Sequence, residues 1–247
     1  MKKLIVLLAL MLTATWSFSL AKDKDKEKDK KNSVDSGTFG IFLNGKRIGT
    51  EKFNIEQQAD EGVVTAALTV DDGNSNKSEQ GSELRVSSDG NLRLYKWRST
   101  VPTKEESIVE PKDQFLVEHL SPADQKKRDV PYILPLSTVI LDDNFFSQRE
   151  VLIWRYLAAG CMPKEGQLHC GPSRFGTLVP RQHIAGSATV ELMGRDKIMY
   201  KGAEKELNKI KIDADGVQWL LWVDDPENHY KVIKMSIPSG NIDVWRD

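Results

Sequence analysis

Few of the signals that usually reveal a protein's chemistry occur in this chain of 247 residues. It has only two cysteines, too few for a disulfide framework, and no Cys-x-x-Cys pair of the kind that binds zinc. It also lacks a Gly-x-Ser-x-Gly elbow, a phosphate-binding loop and paired helical carboxylates. Its formal net charge is -1, so no overall charge attracts it to nucleic acid. We expect a protein that is not an enzyme, with no cofactor, metal or nucleic-acid partner.

The N-terminus has the three parts of a secretion signal. Two lysines precede the apolar run 4–12, and the small residues Ser19 and Ala21 predict cleavage after Ala21. The alternative is an uncleaved membrane anchor, but a membrane span needs about 20 apolar residues and this run is shorter. We therefore predict that residues 1–21 are a signal peptide. The mature chain is expected to be periplasmic or secreted, without a transmembrane span.

A charged leader follows the predicted signal. Residues 22–31 contain no apolar side chain, so they cannot offset the entropy cost of ordering, and we predict a disordered leader over 22–36. An alternative is a lysine patch for anionic lipid or peptidoglycan, although interleaved acids nearly cancel its charge. The remaining residues, 37–247, are predicted to form one domain, because all-β domains commonly reach this length.

Alternation of apolar and polar residues dominates from Ser36 onward, and it predicts about ten or eleven strands with one buried face. Asn44-Gly45 is one of several turn signals between consecutive strands. One amphipathic helix is predicted over 143–158. Ser121-Pro122 resembles the start of a second, two-turn helix. The expected fold is mainly β: a curved antiparallel meander sheet that forms a half-barrel or barrel packed on one central helix.

The two cysteines bracket a short loop, and outside the cytoplasm such a pair predicts a disulfide between Cys161 and Cys170. An alternative is a metal site formed by Cys161, His169, Cys170 and His183. A second alternative is a calcium site formed by Asp224, Asp225, Glu227 and Asn228, although Pro226 favours a turn there. Neither set has the spacing of a strong metal motif.

Several large apolar side chains are candidates to line a ligand-binding pocket. A ten-strand sheet curled round one helix encloses more volume than one helical stripe fills, and larger closed sheets leave cavities. The strand 217–224 is apolar on both faces, so we expect it to be covered on both sides. The predicted ligand-binding residues are Tyr95, Trp97, Phe145, Phe146, Leu152, Tyr156, Trp219 and Trp222. The alternative is that these side chains merely fill the space between the sheet and the helix.

Three short motifs carry a family resemblance: Phe-Leu-Asn-Gly-Lys-Arg-Ile-Gly-Thr-Glu at 42–51, Leu-Trp-Val-Asp at 221–224 and Lys-Met-Ser-Ile-Pro at 234–238. Over residues 37–246 the chain resembles uncharacterised exported bacterial β-barrel or half-barrel proteins, distantly similar to the lipoprotein-localisation-factor carriers. That resemblance implies a half-barrel that holds acyl chains beneath a helical lid. The long segment 161–184 has no counterpart in the sequence pattern of those carriers.

The leading hypothesis is a periplasmic, non-enzymatic binding or carrier module for an apolar, lipid-like ligand. The alternative is a structural or assembly protein of the cell envelope that binds another protein and no small molecule. An outer-membrane barrel is disfavoured, because several predicted strands carry charge on their outward face.

Overall fold

The structure is a computed structural model that describes residues 32–73, 77–123, 125–142, 145–164 and 167–247. The predicted signal peptide and residues 22–31 of the predicted leader lie outside the described residues. Residues 32–36, which the sequence assigned to the leader, form the beginning of the first strand. The first strand therefore begins before the predicted domain start at Gly37.

The described residues form seventeen strands and one α-helix. The first nine strands are β1 (Asn32–Leu43), β2 (Lys46–Gln58), β3 (Glu61–Asp71), β4 (Lys77–Ser87), β5 (Leu92–Val101), β6 (Glu105–Lys112), β7 (Phe115–Ser121), β8 (Arg128–Tyr132) and β9 (Val139–Ile140). The helix is α1 (Ser147–Gly160). The later strands are β10 (Cys161–Lys164), β11 (Gln167–Cys170), β12 (Ser173–Val179), β13 (Ile184–Tyr200), β14 (Ala203–Ala214), β15 (Val217–Val223), β16 (Val232–Ile237) and β17 (Ile242–Arg246).

Fifteen of these strands form one curved sheet in the order β8-β7-β6-β5-β4-β3-β2-β1-β17-β16-β15-β14-β13-β12-β9. Neighbours are antiparallel except β9 and β12, which pair in parallel, so the predicted antiparallel meander is in fact a mixed sheet. The β1–β17 pair joins the first and last strands in the middle of the sheet. β8 and β9 are its edges, and β10 and β11 form a separate ribbon.

The sheet wraps α1, and the two share one hydrophobic core. Apolar residues at alternate positions of the strands turn inward, as Phe53 and Ile55 do on β2. Ile153 and Tyr156 of α1 have no exposed surface and belong to the same core. The predicted mainly β fold, curled round one principal helix, is therefore confirmed. The centre of the curl is filled with side chains.

A second, smaller core lies on the outer face of the sheet and contains Leu207, Trp222 and Ile233. The long β13–β14 hairpin has a register shift at Gly194, where φ is +109°, and beyond it the end of β13 contacts this outer face. Trp222 Nε1 donates to Asp196 Oδ2 at 3.0 Å. The strand 217–224 is thus covered on both sides, as its two apolar faces predicted.

Two helix predictions differ from the structure. α1 begins at Ser147 rather than near residue 143, and it ends at Gly160. The second helix, predicted from Ser121-Pro122, is absent from the described residues: β7 continues through Ser121, and β8 follows with Pro131 inside it. Pro131 has no N–H to donate, and β8 is an edge strand, where a missing donor is tolerated.

Candidate functional site

The N-terminus of α1 is held by a carboxylate from a distant strand. Glu51 on β2 is completely buried. It accepts hydrogen bonds from the N–H of Phe146 at 2.7 Å, the N–H of Ser147 at 3.2 Å and the hydroxyl of Ser147 at 2.6 Å. Burial raises the pKa of Glu51 from 4.5 to about 7, while these hydrogen bonds oppose the rise. The first helical N–H groups therefore find their acceptor in the sheet.

The chain just before α1 is fixed by a buried polar network. Tyr95 donates its hydroxyl hydrogen to Asp142 Oδ2 at 2.6 Å, and Arg181 Nη2 lies 2.6 Å from Asp142 Oδ1. Burial, followed by the charge of Asp142, raises the pKa of Tyr95 well above its ordinary value. The backbone N–H of Asp142 donates to Gln148 Oε1 at 2.7 Å. These contacts hold the segment before α1 in the interior of the curved sheet.

A cleft opens between the helix and the inner face of β1 to β5. Its volume is about 610 Å³, which falls within the roughly 300–1,000 Å³ of small-molecule sites. The mouth lies at exposed residues of the helix end and of the β4–β5 turn, such as Ala158 and Ser88. The apolar lining includes Val34, Ile55, Val64, Leu84, Val86, Leu92, Ile140, Val151, Leu152 and Phe175. The cleft is therefore suited to an apolar chain.

Arg155 is the cationic side chain that lines this cleft. Its guanidinium lies 5.4 Å from the centre of the Phe175 ring, and its Nη1 donates to the carbonyl of Ser137 at 2.9 Å. Burial lowers the pKa of Arg155, and the charge of Asp89 opposes this change. Arg155 is not among the ligand-binding residues that the sequence predicted. Its position three residues after Leu152 could have identified it, because helical residues three apart share a face.

The structure places seven of the eight predicted ligand-binding residues in the main core. Tyr95, Phe145 and Tyr156 have no exposed surface and fill the centre of the curl. Phe146 is also buried there, and its ring lies 6.1 Å from that of Trp219. None of these four side chains lines the 610 Å³ cleft or the cavities of about 690, 400 and 380 Å³, so they act as core residues.

The remaining predicted residues are separated from one another. Leu152 lines the 610 Å³ cleft, while Trp219 lines a cavity of about 400 Å³ at the opposite end of the curl. Trp97 borders two further cavities, and its Nε1 donates to Gln80 Oε1 at 2.9 Å. Trp222 lies on the outer face of the sheet, so it cannot contact a ligand inside the curl.

The predicted disulfide joins Cys161 and Cys170, whose Cα atoms lie 4.3 Å apart across the β10–β11 ribbon. This bond leaves no thiolate for the alternative metal site. In the alternative calcium site, Asp225 is paired with Arg195 and Asp224 with Lys205. Among the residues the structure describes, no group of three His, Cys, Asp or Glu side chains is placed to hold a metal ion.

No helix among the described residues is both long and apolar enough to cross a membrane.

Comparisons with known proteins identify the fold and no more. No protein-family model matches the chain, and no curated protein matches its sequence. The structure is similar to the crystal structure of a β-barrel-like protein of a domain of unknown function, DUF1849, from Brucella abortus, with a TM-score of 0.52. The identity is 9%, and the match covers 86% of this chain and 94% of that chain. This chain therefore has a β-barrel-like fold, and the similarity to the lipoprotein-localisation-factor carriers stays a prediction.

Proposed function

We propose that this protein is a non-enzymatic binding or carrier module for an apolar, lipid-like ligand. The observation that carries the proposal is the 610 Å³ cleft between α1 and β1 to β5, with its largely apolar lining. The β-barrel-like fold is compatible with such a role. A disulfide and a signal-like N-terminus favour a place outside the cytoplasm, because disulfides persist in oxidising compartments.

The ligand site differs from the one that the sequence suggested. The centre of the curl is packed, so the ligand lies along one side of α1 with its exit at Ala158. Burial of an alkyl chain supplies the binding energy, at about 25 cal/mol for each Å² of apolar surface removed from water. The helix contributes Val151 and Leu152 as the contact surface for that chain.

Native mass spectrometry of protein purified without detergent, together with displacement of a fluorescent fatty acid, tests this function. Ala158→Trp places a large side chain at the mouth of the cleft, and we expect it to weaken probe binding at least tenfold. Ala203→Trp is the matched control, because Ala203 is exposed on β14 and does not line the cleft. Purification without bound lipid, together with no probe binding, would contradict the proposal and favour the assembly-protein alternative.

A further inference from the structure

Arg155 is placed where the head group of an amphiphile would lie. The lining of the cleft on α1 runs from Gln148 to Ala159, which corresponds to about 16 Å at 1.5 Å per residue. Val151 and Leu152 occupy the inner part of this helical surface, and Arg155 follows one turn nearer the mouth. A guanidinium thus lies between an apolar interior and exposed residues at the opening.

The backbone around Arg155 leaves room for its side chain. Gly90 in the β4–β5 turn has a φ of +80°, and a Cβ atom built there would lie 3.1 Å from Arg155 Nε. The turn therefore allows the side chain to lie against the backbone, while Phe175 contacts it from β12. The guanidinium is held in place and half-buried. An anion that binds it therefore meets a group whose conformation is already restricted.

Arg155 forms no ion pair with any carboxylate of the described residues, and its hydrogen bond is to the neutral carbonyl of Ser137. Both acidic residues of the cleft lining have other partners. Asp89 accepts hydrogen bonds from Ser87 Oγ and Asn91 Nδ2, and Glu56 from Asn54 Nδ2 and Gln58 Nε2. The charge of Asp89 acts on Arg155 at longer range, without a direct contact. A half-buried guanidinium that no carboxylate contacts directly favours an anion that can bond to it at the mouth.

We infer that the ligand of this cleft is an anionic amphiphile whose carboxylate or phosphate head group binds Arg155 while its chain lies along Val151 and Leu152. This inference rests on the proposed function, since it assigns the head group of the ligand proposed for the same cleft. The planar guanidinium can donate two parallel hydrogen bonds to either kind of oxyanion.

Three probes with the same fluorescent alkyl chain test the inference: a carboxylic acid, its methyl ester and an alkyl phosphate. We expect the wild-type protein to bind one or both anions about ten- to a hundredfold more tightly than the ester, the range of a hydrogen bond to a charged group. Arg155→Gln should abolish this preference, so that it binds the anions and the ester with similar affinity, while Arg155→Lys should retain part of it. The tighter anion identifies the head group as carboxylate or phosphate.

Lys96→Gln is the matched control, because it removes an exposed cation that does not line the cleft, and it should preserve the preference. Circular dichroism of each variant establishes that it is folded. If the wild-type protein binds the acid, the phosphate and the ester equally well, the inference is overturned while the proposed function stands. If none of the probes binds, both are overturned.

Discussion

The pH dependence of stability provides a direct test of how α1 is anchored. Glu51 is completely buried, and burial is the main reason that its pKa rises from 4.5 to about 7. Between these two values the folded protein keeps a proton that the unfolded chain has released. The stability that Glu51 contributes is therefore fully present below about pH 4.5 and is lost as the pH rises to about 7.

The size of this effect follows from the two pKa values, which differ by about 2.5. Each factor of ten in proton affinity corresponds to about 1.4 kcal/mol, so the free energy of unfolding should fall by about 3 kcal/mol between the two limits. Glutamine at position 51 cannot ionise, yet its carbonyl oxygen still accepts a hydrogen bond from the start of α1. Glu51→Gln should therefore lose this part of the pH dependence.

Urea unfolding at about pH 5 and about pH 7.5, followed by circular dichroism, measures the effect. Between these two pH values the wild-type protein should lose about 2.5 kcal/mol more than Glu51→Gln, which is most of the full effect. Other groups, such as His119, whose pKa is raised by hydrogen bonding to Asp129, contribute equally to both proteins and cancel. Glu79→Gln alters an exposed residue and should behave as wild type. Identical pH profiles for wild type and Glu51→Gln would refute the reasoning.

Three further changes have defined outcomes. Arg246→Ala leaves Glu150 and Asp35 buried without their shared partner at 2.7 and 2.8 Å, so the free energy of unfolding should fall by about 3–5 kcal/mol in denaturant titrations. Cys170→Ser opens a short loop and should lower the same free energy by about 2–3 kcal/mol, a difference that reductant should remove. Trp222→Ala should lower the free energy of unfolding by about 3–5 kcal/mol. It should not weaken fatty-acid binding, because Trp222 lies on the outer face of the sheet. Weaker binding by a folded variant would contradict this position of Trp222.

The fold was largely predictable because its strands carry local signals. Asn44-Gly45 forms the two-residue turn between β1 and β2 with positive φ at both positions, as these residue types predict. Strands with weak apolar alternation carry no such signal, as in β6 with its sequence Glu-Glu-Ser-Ile-Val-Glu-Pro-Lys. Such segments become strands because their backbones pair with neighbouring strands. This pairing does not depend on the alternation of their own side chains.

The candidate site follows from local sequence less directly than the fold does. Leu152 of the helix lines the cleft, whereas large aromatic side chains such as Tyr95 and Tyr156 fill the core. Aromatic residues serve both purposes, and composition alone cannot separate a filled interior from a lined cavity. Arg155 was overlooked because its significance depends on its place at the mouth of the cleft and on the lack of a carboxylate in direct contact with it, which neighbouring segments determine.

The sequence by itself determined the mainly β class, the principal helix, the main turns and the Cys161–Cys170 disulfide, since each depends on residues close together in the chain. Only the tertiary structure decided that Glu51 binds the helix N-terminus from a position 95 residues earlier than Phe146. It also decided that Trp222 faces outward under the β13–β14 hairpin. Such contacts form where distant segments meet, and a local pattern shows that a face is apolar without showing what covers it.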